Sequence, residues 1–316
     1  MDTAERTPAD VWLDQGAPKP GRAVGTVLIC FVVLMLAQVL FAALAAIGLF
    51  AVNAEALLAA GDINAVAAAA VGWLTKGPPF ETMILLSYAG AFSLTLWLFL
   101  RLHTHWAKGS LAGLINGVGR FRWREAGLAA GLFGVVSLAT FIPAQQFGIL
   151  PAEDGVGLPD RPVWLWVGVL AILPAFVAMQ ILWEELAFRG ALVQAAARRS
   201  RNTLWLILIG GLPFGLVHIT GLEEMLFAAM FGMVATWASL RRGGIEMAVG
   251  AHFINNLIAL VATDALTQPP DPFLEVNAAL LGLALVPMTA LAVLAWALPQ
   301  DQAAAADPAV RAAPSD

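Results

Sequence analysis

The sequence predicts an all-α membrane protein with about eight transmembrane helices. Of its 316 residues, 60% are hydrophobic and only 12% are charged, whereas a soluble domain carries roughly a quarter charged residues. Several apolar stretches reach the roughly 20 residues that a helix needs to cross a hydrocarbon core of about 30 Å. Lys and Arg residues collect in alternate connecting segments, as they do in proteins that cross a membrane repeatedly.

The apolar stretches are interpreted in chain order as eight spans. They cover residues 24–52, 81–102, 125–144, 174–198, 203–220, 223–240, 244–264 and 273–298. The first stretch is about twice as long as a signal-peptide core, so we expect an uncleaved span; small residues near Ala42–Ala46 leave a cleaved signal as the alternative. Residues 53–80 contain acidic residues and only a short apolar run. We interpret most of this segment as an interfacial helix and loop, and whether it crosses the membrane stays open.

The distribution of positive charge predicts the orientation. Fifteen Lys and Arg residues fall on one side of the predicted spans when Arg189 is counted with the loop that it adjoins, and only Lys76 and Arg161 fall on the other. Cytoplasmic segments hold the excess of positive charge, so both termini are expected in the cytoplasm of a multi-pass plasma-membrane protein. The net charge of -5 provides no basic surface, so nucleic acid is excluded as an expected partner.

Polar and ionisable residues inside the spans cluster in one part of the chain, where they are costly and usually functional. Three groups stand out: Glu184-Glu185 with Arg189, Phe214 with His218, and His252 with Asn256. Counted at 1.5 Å per residue from the Arg-rich helix ends, Glu184 and His218 lie about 21–22 Å deep. His252 and Asn256 lie about 13 and 20 Å deep by the same rise. Three helices therefore bring polar groups to overlapping depths.

Helical spacing indicates different roles for these residues. Glu185 and Arg189 are four apart with the acid first, which favours a structural ion pair. Glu184 projects about 100° away and remains free for chemistry. His252 and Asn256, also four apart, can face one cavity.

The segment before the first of the two histidines has its own features. Phe214 lies one turn before His218 and could hold its imidazole in place. Gly210, Gly211 and Pro213 weaken the helix there, and a kink could open a water-filled cavity.

A carboxylate with two imidazoles supports hydrolysis in two ways, and the residues leave both open. Glu184 can act as general base on water, with a histidine assisting and His252 and Asn256 donating to the developing oxyanion. Alternatively, Glu184, His218 and His252 can bind zinc, because two His and one Glu form a catalytic zinc set. The His-Glu-x-x-His signature of common metalloproteases is absent from the sequence.

The three motifs together resemble those of the CPBP family, across roughly residues 174 to 262. That family contains type II CAAX prenyl endopeptidases and bacterial bacteriocin-processing or immunity relatives. The resemblance implies an intramembrane peptidase whose catalytic residues, on three or four core helices, are Glu184, His218, His252 and Asn256. The family is commonly labelled a metalloprotease group, and a metal-free, glutamate-dependent mechanism is also argued for its eukaryotic members.

The resemblance divides the chain into four parts. These are a cytoplasmic tail (1–23), a transmembrane region with interfacial loops (24–160), a CPBP-like catalytic domain (161–298) and a disordered tail (299–316). The expected partners are the bilayer and a membrane-associated peptide or protein, reached through a cavity that opens toward the cytoplasm or laterally. Two other functions compete: a catalytically idle scaffold or immunity protein, and a small-solute or proton-coupled transporter.

Overall fold

A computed structural model of the chain describes residues 7–16, 19–52, 78–150, 163–218, 221–262 and 276–300. Every regular element in these ranges is helical, as the sequence predicts. Two predictions lie outside the described residues: the interfacial segment over 53–77 and the disordered tail from residue 301 onward.

The helices are numbered here in chain order. They are α1 Pro8–Asp14, α2 Pro20–Val52, α3 Pro78–His105, α4 Leu111–Ile115, α5 Trp123–Gln146, α6 Val163–Glu185, a π-helical segment Leu186–Leu192, α7 Val193–Ala197, α8 Thr203–Leu216, α9 Leu222–Arg242, α10 Glu246–Ala262 and α11 Ala278–Ala297. The helix α6, the π-helical segment and α7 follow one another without a break. Eight long helical segments therefore correspond to the eight predicted spans.

The bounds of two segments that carry motifs differ from the predictions, and the helix with the first motif differs by the largest margin. The sequence analysis begins the first of them at Pro174, but α6 begins at Val163 and Pro174 lies inside it. Proline is tolerated within membrane helices because neighbouring groups satisfy the freed carbonyl. The next helix was predicted to reach residue 220, but α8 ends at Leu216, just before His218.

Membrane-spanning helices are present in this fold. Three of the described helices are long and apolar enough to cross a bilayer, within Pro20–Gly48, Trp123–Gln146 and Ala278–Ala297. The apolar helix Thr203–Leu216 is shorter than this criterion. The number of eight spans stays a prediction.

One end of the bundle, called here the Arg-rich face, is fixed by hydrogen bonds between helix ends. Arg22 donates to the carbonyl of Trp106, 3.1 Å away, and joins the start of α2 to the end of α3. Arg242 at the end of α9 donates to the carbonyl of Leu298 at the end of α11, 2.9 Å away. At the other end, called here the opposite face, the Glu223 carboxylate at the start of α9 accepts from the backbone N–H of Asn277.

The N-terminal tail of the sequence analysis contains a short helix that packs onto the Arg-rich face. A capping box between Thr7 and Asp10 starts α1, and Trp12 within it is fully buried. The indole of Trp12 donates to the carbonyl of Leu114 at 3.2 Å, and its own carbonyl accepts from Gln194 at 3.3 Å. The apolar run around Trp12 is too short to produce a periodic signal, which is why the pattern did not reveal it.

Glycines in α8 let that helix approach α9 closely. A Cβ atom at Gly210 would lie 2.1 Å from Thr236 Oγ1, and one at Gly211 would lie 2.3 Å from Met233 Cγ. Only residues without a side chain allow this distance between the helix axes. The glycines thus serve the close packing of α8 against α9 and bring the end of α8 against the rest of the bundle; a kink there stays a prediction.

Candidate active site

The first motif lies where a regular helix changes to a π-helix. Glu184 and Glu185 are the last two residues of α6, and the π-helical segment Leu186–Leu192 follows directly. A π-helical turn shifts the register of the side chains and occurs frequently at functional sites. All residues from 183 to 191 are buried. Both carboxylates are therefore held in the interior of the bundle.

The imidazole of His252 is held between the two carboxylates of the first motif. Its Nδ1 atom lies 2.8 Å from Glu185 Oε1, and its Nε2 atom lies 3.5 Å from Glu184 Oε2. Only 3% of His252 is exposed. Because a carboxylate only accepts, the neutral form of the ring would carry its proton on Nδ1 and turn the Nε2 lone pair toward Glu184.

The two oxygens of Glu184 have different surroundings. Its Oε1 atom accepts a hydrogen bond from Gln180 Nε2 at 3.1 Å, one helical turn earlier. Its Oε2 atom is buried and has no hydrogen-bond partner within the described residues. A buried oxygen without a partner is costly unless a bound molecule satisfies it. The open acceptor therefore points to a position for water or substrate.

The predicted contact between Glu185 and Arg189 is present. Arg189 Nη1 lies 3.0 Å from Glu185 Oε1, and both side chains are completely buried. The guanidinium carbon also lies 4.2 Å from the centre of the Phe214 ring, a cation–π distance. Glu185 thus does more than neutralise Arg189, because the same oxygen also accepts the His252 hydrogen bond.

Phe214 links the two histidines of the site. Its ring packs edge-on against both, with centroids 4.7 Å from His218 and 5.6 Å from His252. The Nδ1 atom of His218 lies 2.7 Å from the carbonyl oxygen of Phe214, which fixes the ring orientation. The predicted supporting position of Phe214 is therefore present in the structure.

Asn256 lies one turn beyond His252 on α10. The amide of Asn255 donates to Asn256 Oδ1 at 3.1 Å. That hydrogen bond uses the acceptor atom of Asn256 and not its Nδ2 donor group. The contacts described for α10 do not join Asn256 directly to Glu184 or to either histidine.

Three residues near Glu184 were missed by the sequence analysis. Gln180 has a recognisable signal, since it precedes Glu184 by four residues in the same helix. Tyr88, the one tyrosine of the chain, is close enough to interact electrostatically with Glu184 and is 43% exposed. Glu224, in the first turn of α9, is exposed and interacts electrostatically with Glu184, His218 and His252. Contacts between residues on separate helices cannot be predicted from the spacing of residues within one helix.

The sequence also allows Glu184, His218 and His252 to bind zinc together. Among the side chains that the structure describes, no three His, Cys, Asp or Glu residues converge as metal ligands. The Nδ1 contacts of His252 with Glu185 and of His218 with the Phe214 carbonyl leave both Nε2 atoms free, as in metal-bound histidines. Glu184, His218 and His252 nevertheless do not converge as a preformed three-ligand site in this structure.

The sequence of the chain is similar to that of known proteins over the part that carries the site. Residues 163–258 match the family described as type II CAAX prenyl endopeptidase Rce1-like, and the matched range contains all three motifs. The match supports the assignment of this part of the chain to the CPBP or CAAX protease family. The Rce1-like family is a family of proteases.

A bacterial relative matches part of the chain as well. The uncharacterized protein YyaK of Bacillus subtilis (strain 168) is 38% identical over 150 residues, which are 44% of this chain and 47% of that protein. The alignment thus covers about half of the relative's length. No solved structure matches the chain.

Proposed function

We propose that the protein is an intramembrane endopeptidase that hydrolyses a peptide bond of a membrane-associated protein or peptide. One observation carries the proposal: the His252 imidazole lies between two carboxylates, 2.8 Å from Glu185 and 3.5 Å from Glu184. A structural ion pair would need only one acid and one base. The second carboxylate, with its unpartnered oxygen, adds the acceptor that water activation requires.

In the proposed reaction, water binds between Glu184 Oε2 and His252 Nε2. Both atoms are acceptors when the ring is neutral, so a water molecule can donate one hydrogen to each. Glu184 takes a proton as the water oxygen attacks the carbonyl carbon. The resulting tetrahedral intermediate breaks its C–N bond as a proton passes from Glu184 to the leaving nitrogen.

Stabilisation of the oxyanion is assigned to Asn256, assisted by His218. The Nδ2 group of Asn256 is not used in its hydrogen bond with Asn255 and remains a donor. The Nδ1–H of His218 donates to the Phe214 carbonyl, so its Nε2 donates to the oxyanion when the ring is an imidazolium with both nitrogens protonated. Removing one oxyanion donor typically costs about 100- to 1000-fold in turnover.

Glu185 and Arg189 are proposed to act through His252. The Glu185 carboxylate orients the imidazole and stabilises positive charge on it, while Arg189 balances the buried carboxylate. Phe214 and the ring of Phe231, whose centroid lies 5.1 Å from His252, hold the histidine in one rotamer. These residues position the reacting groups and do not contact the substrate in this mechanism.

The proposed function also includes a location in the membrane and an orientation across it. The proposal includes eight spans, a plasma-membrane location and cytoplasmic termini, and the fifteen-to-two distribution of Lys and Arg residues supports the orientation. The partners are the bilayer and a membrane-associated substrate, and nucleic acid is not among them. We propose the glutamate-dependent route over the zinc route because the donor atoms do not converge as a three-ligand set.

Replacing Glu184 by Gln tests the function. Membrane peptides are compared among cells that carry the wild-type protein, Glu184→Gln, or no copy, with Asp14→Asn as an acid-to-amide control at an exposed surface ion pair. A fragment that vanishes in Glu184→Gln and in the null, but persists in Asp14→Asn, identifies a peptidase and its substrate.

The same comparison separates the two competing functions. If no peptide depends on Glu184 while Glu184→Gln rescues the defect of the null, the scaffold function replaces the peptidase. If Glu184→Gln abolishes uptake of a solute without changing any peptide, a transporter replaces it.

A further inference from the structure

Gln180 holds one oxygen of the Glu184 carboxylate. Its Nε2 group donates to Glu184 Oε1 at 3.1 Å, and both residues lie in the regular part of α6, before the π-helical segment. Side chains of an α-helix lean toward its N-terminus, so Glu184 extends over the turn that carries Gln180. Among the side chains that the structure describes, Gln180 is the one hydrogen-bond donor to Glu184.

The other oxygen of Glu184 is left open. Its Oε2 atom is buried, lies 3.5 Å from His252 Nε2 and has no hydrogen-bond partner in the described part of the chain. A carboxylate that serves only the packing of a protein interior is expected to have both oxygens satisfied. The two oxygens of Glu184 therefore have separate tasks: one is anchored, and the other is available.

The anchor determines the rotation of the carboxylate group. The last torsion angle of a glutamate side chain is broad, so the group turns easily unless a neighbour fixes it. A donor on Oε1 selects one orientation, and in that orientation Oε2 faces His252. Without the amide of Gln180, neither oxygen would be held toward the imidazole.

The helical turn that carries Gln180 is itself held by two other helices. The preceding residue, Met179, accepts a hydrogen bond from the Ser93 hydroxyl of α3 at 2.9 Å. The following residue, Ile181, is buried in an apolar cluster that packs against α10, the helix that carries His252. The amide of Gln180 is thus presented to Glu184 from a fixed position relative to His252.

The anchor is neutral, which suits a residue that must take up a proton. The nearest guanidinium, that of Arg189, pairs with Glu185 at 3.0 Å, and no Lys or Arg among the described residues forms an ion pair with Glu184. A paired cation would favour the ionised carboxylate and weaken it as a base. An amide orients the carboxylate without adding charge and without giving up its own proton.

We propose that Gln180 is a positioning residue of the reaction, which fixes the Glu184 carboxylate so that Oε2 takes the proton from water. In this step an O–H bond of water breaks, an Oε2–H bond forms, and Oε1 keeps its hydrogen bond to Gln180. The inference rests on the proposed peptidase function, since it names water as the proton donor. Gln180 acts through Glu184 and does not contact the substrate.

Two substitutions at this position separate the donor from the size of the side chain. Gln180→Met keeps a similar length and supplies no donor. Gln180→Glu keeps the shape and donates only while the introduced carboxyl is protonated. Gln146→Met, at an exposed position at the end of α5, is the matched control, and Glu184→Gln gives the background rate. Size-exclusion chromatography at each pH checks that every variant is folded.

The variants are assayed in detergent on a peptide that spans the bond whose cleavage depends on Glu184. Gln180→Met should lower kcat by about 100-fold at an unchanged KM, because a displacement of a reacting group by about 1 Å costs this much. Gln146→Met should have the wild-type kcat and KM. A smaller folded fraction would also lower the rate, so a second readout is needed.

The pH dependence of Gln180→Glu provides that readout. At high pH the introduced carboxylate repels Glu184, whereas at lower pH the two carboxyl groups can share a proton and restore the hydrogen bond. The rate of Gln180→Glu, relative to the wild type at the same pH, should rise at least about tenfold from about pH 8 to about pH 5. Gln180→Met should show no such recovery.

The wild type at each pH serves as the reference because the other titratable and charged groups are the same in all these variants. Around Glu184 they come from the first motif, from α3, from the end of α8, from α9 and from α10, and are Glu185, Arg189, Tyr88, His218, Glu224 and His252.

Two results would overturn the inference. A wild-type kcat in Gln180→Met would mean that Glu184 keeps its orientation without the amide. A folded Gln180→Glu variant whose relative rate does not rise as the pH falls would mean that no donor is needed at this position. In both cases, cleavage that depends on Glu184 leaves the peptidase function standing. If no cleavage depends on Glu184, the peptidase function fails and the inference fails with it.

Discussion

The double role of Glu185 can be separated by comparing a single and a double substitution. Glu185→Gln removes the counterion of Arg189, whose side chain is completely buried and 3.0 Å away. Breaking a buried ion pair by removing one partner costs about 3–5 kcal/mol, because the other charge is left uncompensated. Adding Arg189→Met removes that charge too, and a buried pair replaced by neutral groups of similar volume is often tolerated.

The structure predicts that stability and activity respond differently to these changes. Glu185→Gln should lower the unfolding temperature in detergent strongly, and the double variant should recover most of that loss. Hydrolysis should remain reduced about 100-fold in both, since the carboxylate that orients His252 is absent from both and acid–base assistance is worth about 100- to 10,000-fold. The assays are thermal unfolding by size-exclusion chromatography and cleavage of the fragment that depends on Glu184.

Two outcomes would refute this reasoning. If the double variant hydrolyses substrate at the wild-type rate, Glu185 serves only as the ion-pair partner of Arg189 and has no role in orienting His252. A Glu185→Gln protein as stable as the wild type would mean that Arg189 does not depend on the Glu185 carboxylate. The single change Arg189→Met completes a double-mutant cycle. It measures the loss of stability when the Glu185 carboxylate stays buried without its counterion.

Three further predictions concern packing and metal dependence. Trp12→Ala should lower the free energy of unfolding by about 3–5 kcal/mol, seen as a lower unfolding temperature, because it empties a fully buried indole site. Unchanged stability would mean that the packing of α1 does not stabilise the protein. Gly210→Ala should cost about 1–3 kcal/mol by forcing a methyl group against Thr236, whereas Gly282→Ala, with open space around its Cβ, should be neutral or stabilising. Chelation with EDTA should leave hydrolysis unchanged, and a loss that added zinc restores would contradict the metal-free route.

Much of the site could be predicted from spacing within single helices. The pairing of Glu185 with Arg189 follows from their separation of four residues and is present at 3.0 Å. The position of Phe214 beside His218 follows from the same geometry. The family assignment rests on the three motifs in order, and the matched range agrees with it.

The other features of the site depend on contacts between helices, which the pattern of residues within a single helix does not predict. The hydrogen bond from His252 to Glu185 joins residues 67 positions apart. The π-helical segment after Glu185 changes the register on which the predicted direction of Glu184 was based. The ion pairs of Arg122 with Glu246 and of Arg242 with Glu125 were not predicted either, because residues at these positions are expected to be solvated charges at the ends of membrane helices.

As one of the predicted spans, α8 would be short for the lipid around it. Its 14 residues extend only about 21 Å along the helix axis, less than the roughly 30 Å of a hydrocarbon core. Leu204, Leu212 and Leu216 on this helix are exposed, so a span here would present them to acyl chains. Beside a helix that is too short, the bilayer thins or admits headgroups. Hydrophobic mismatch at a span formed by α8 would therefore bring the water interface closer to His218 than the thickness of an undisturbed membrane would allow.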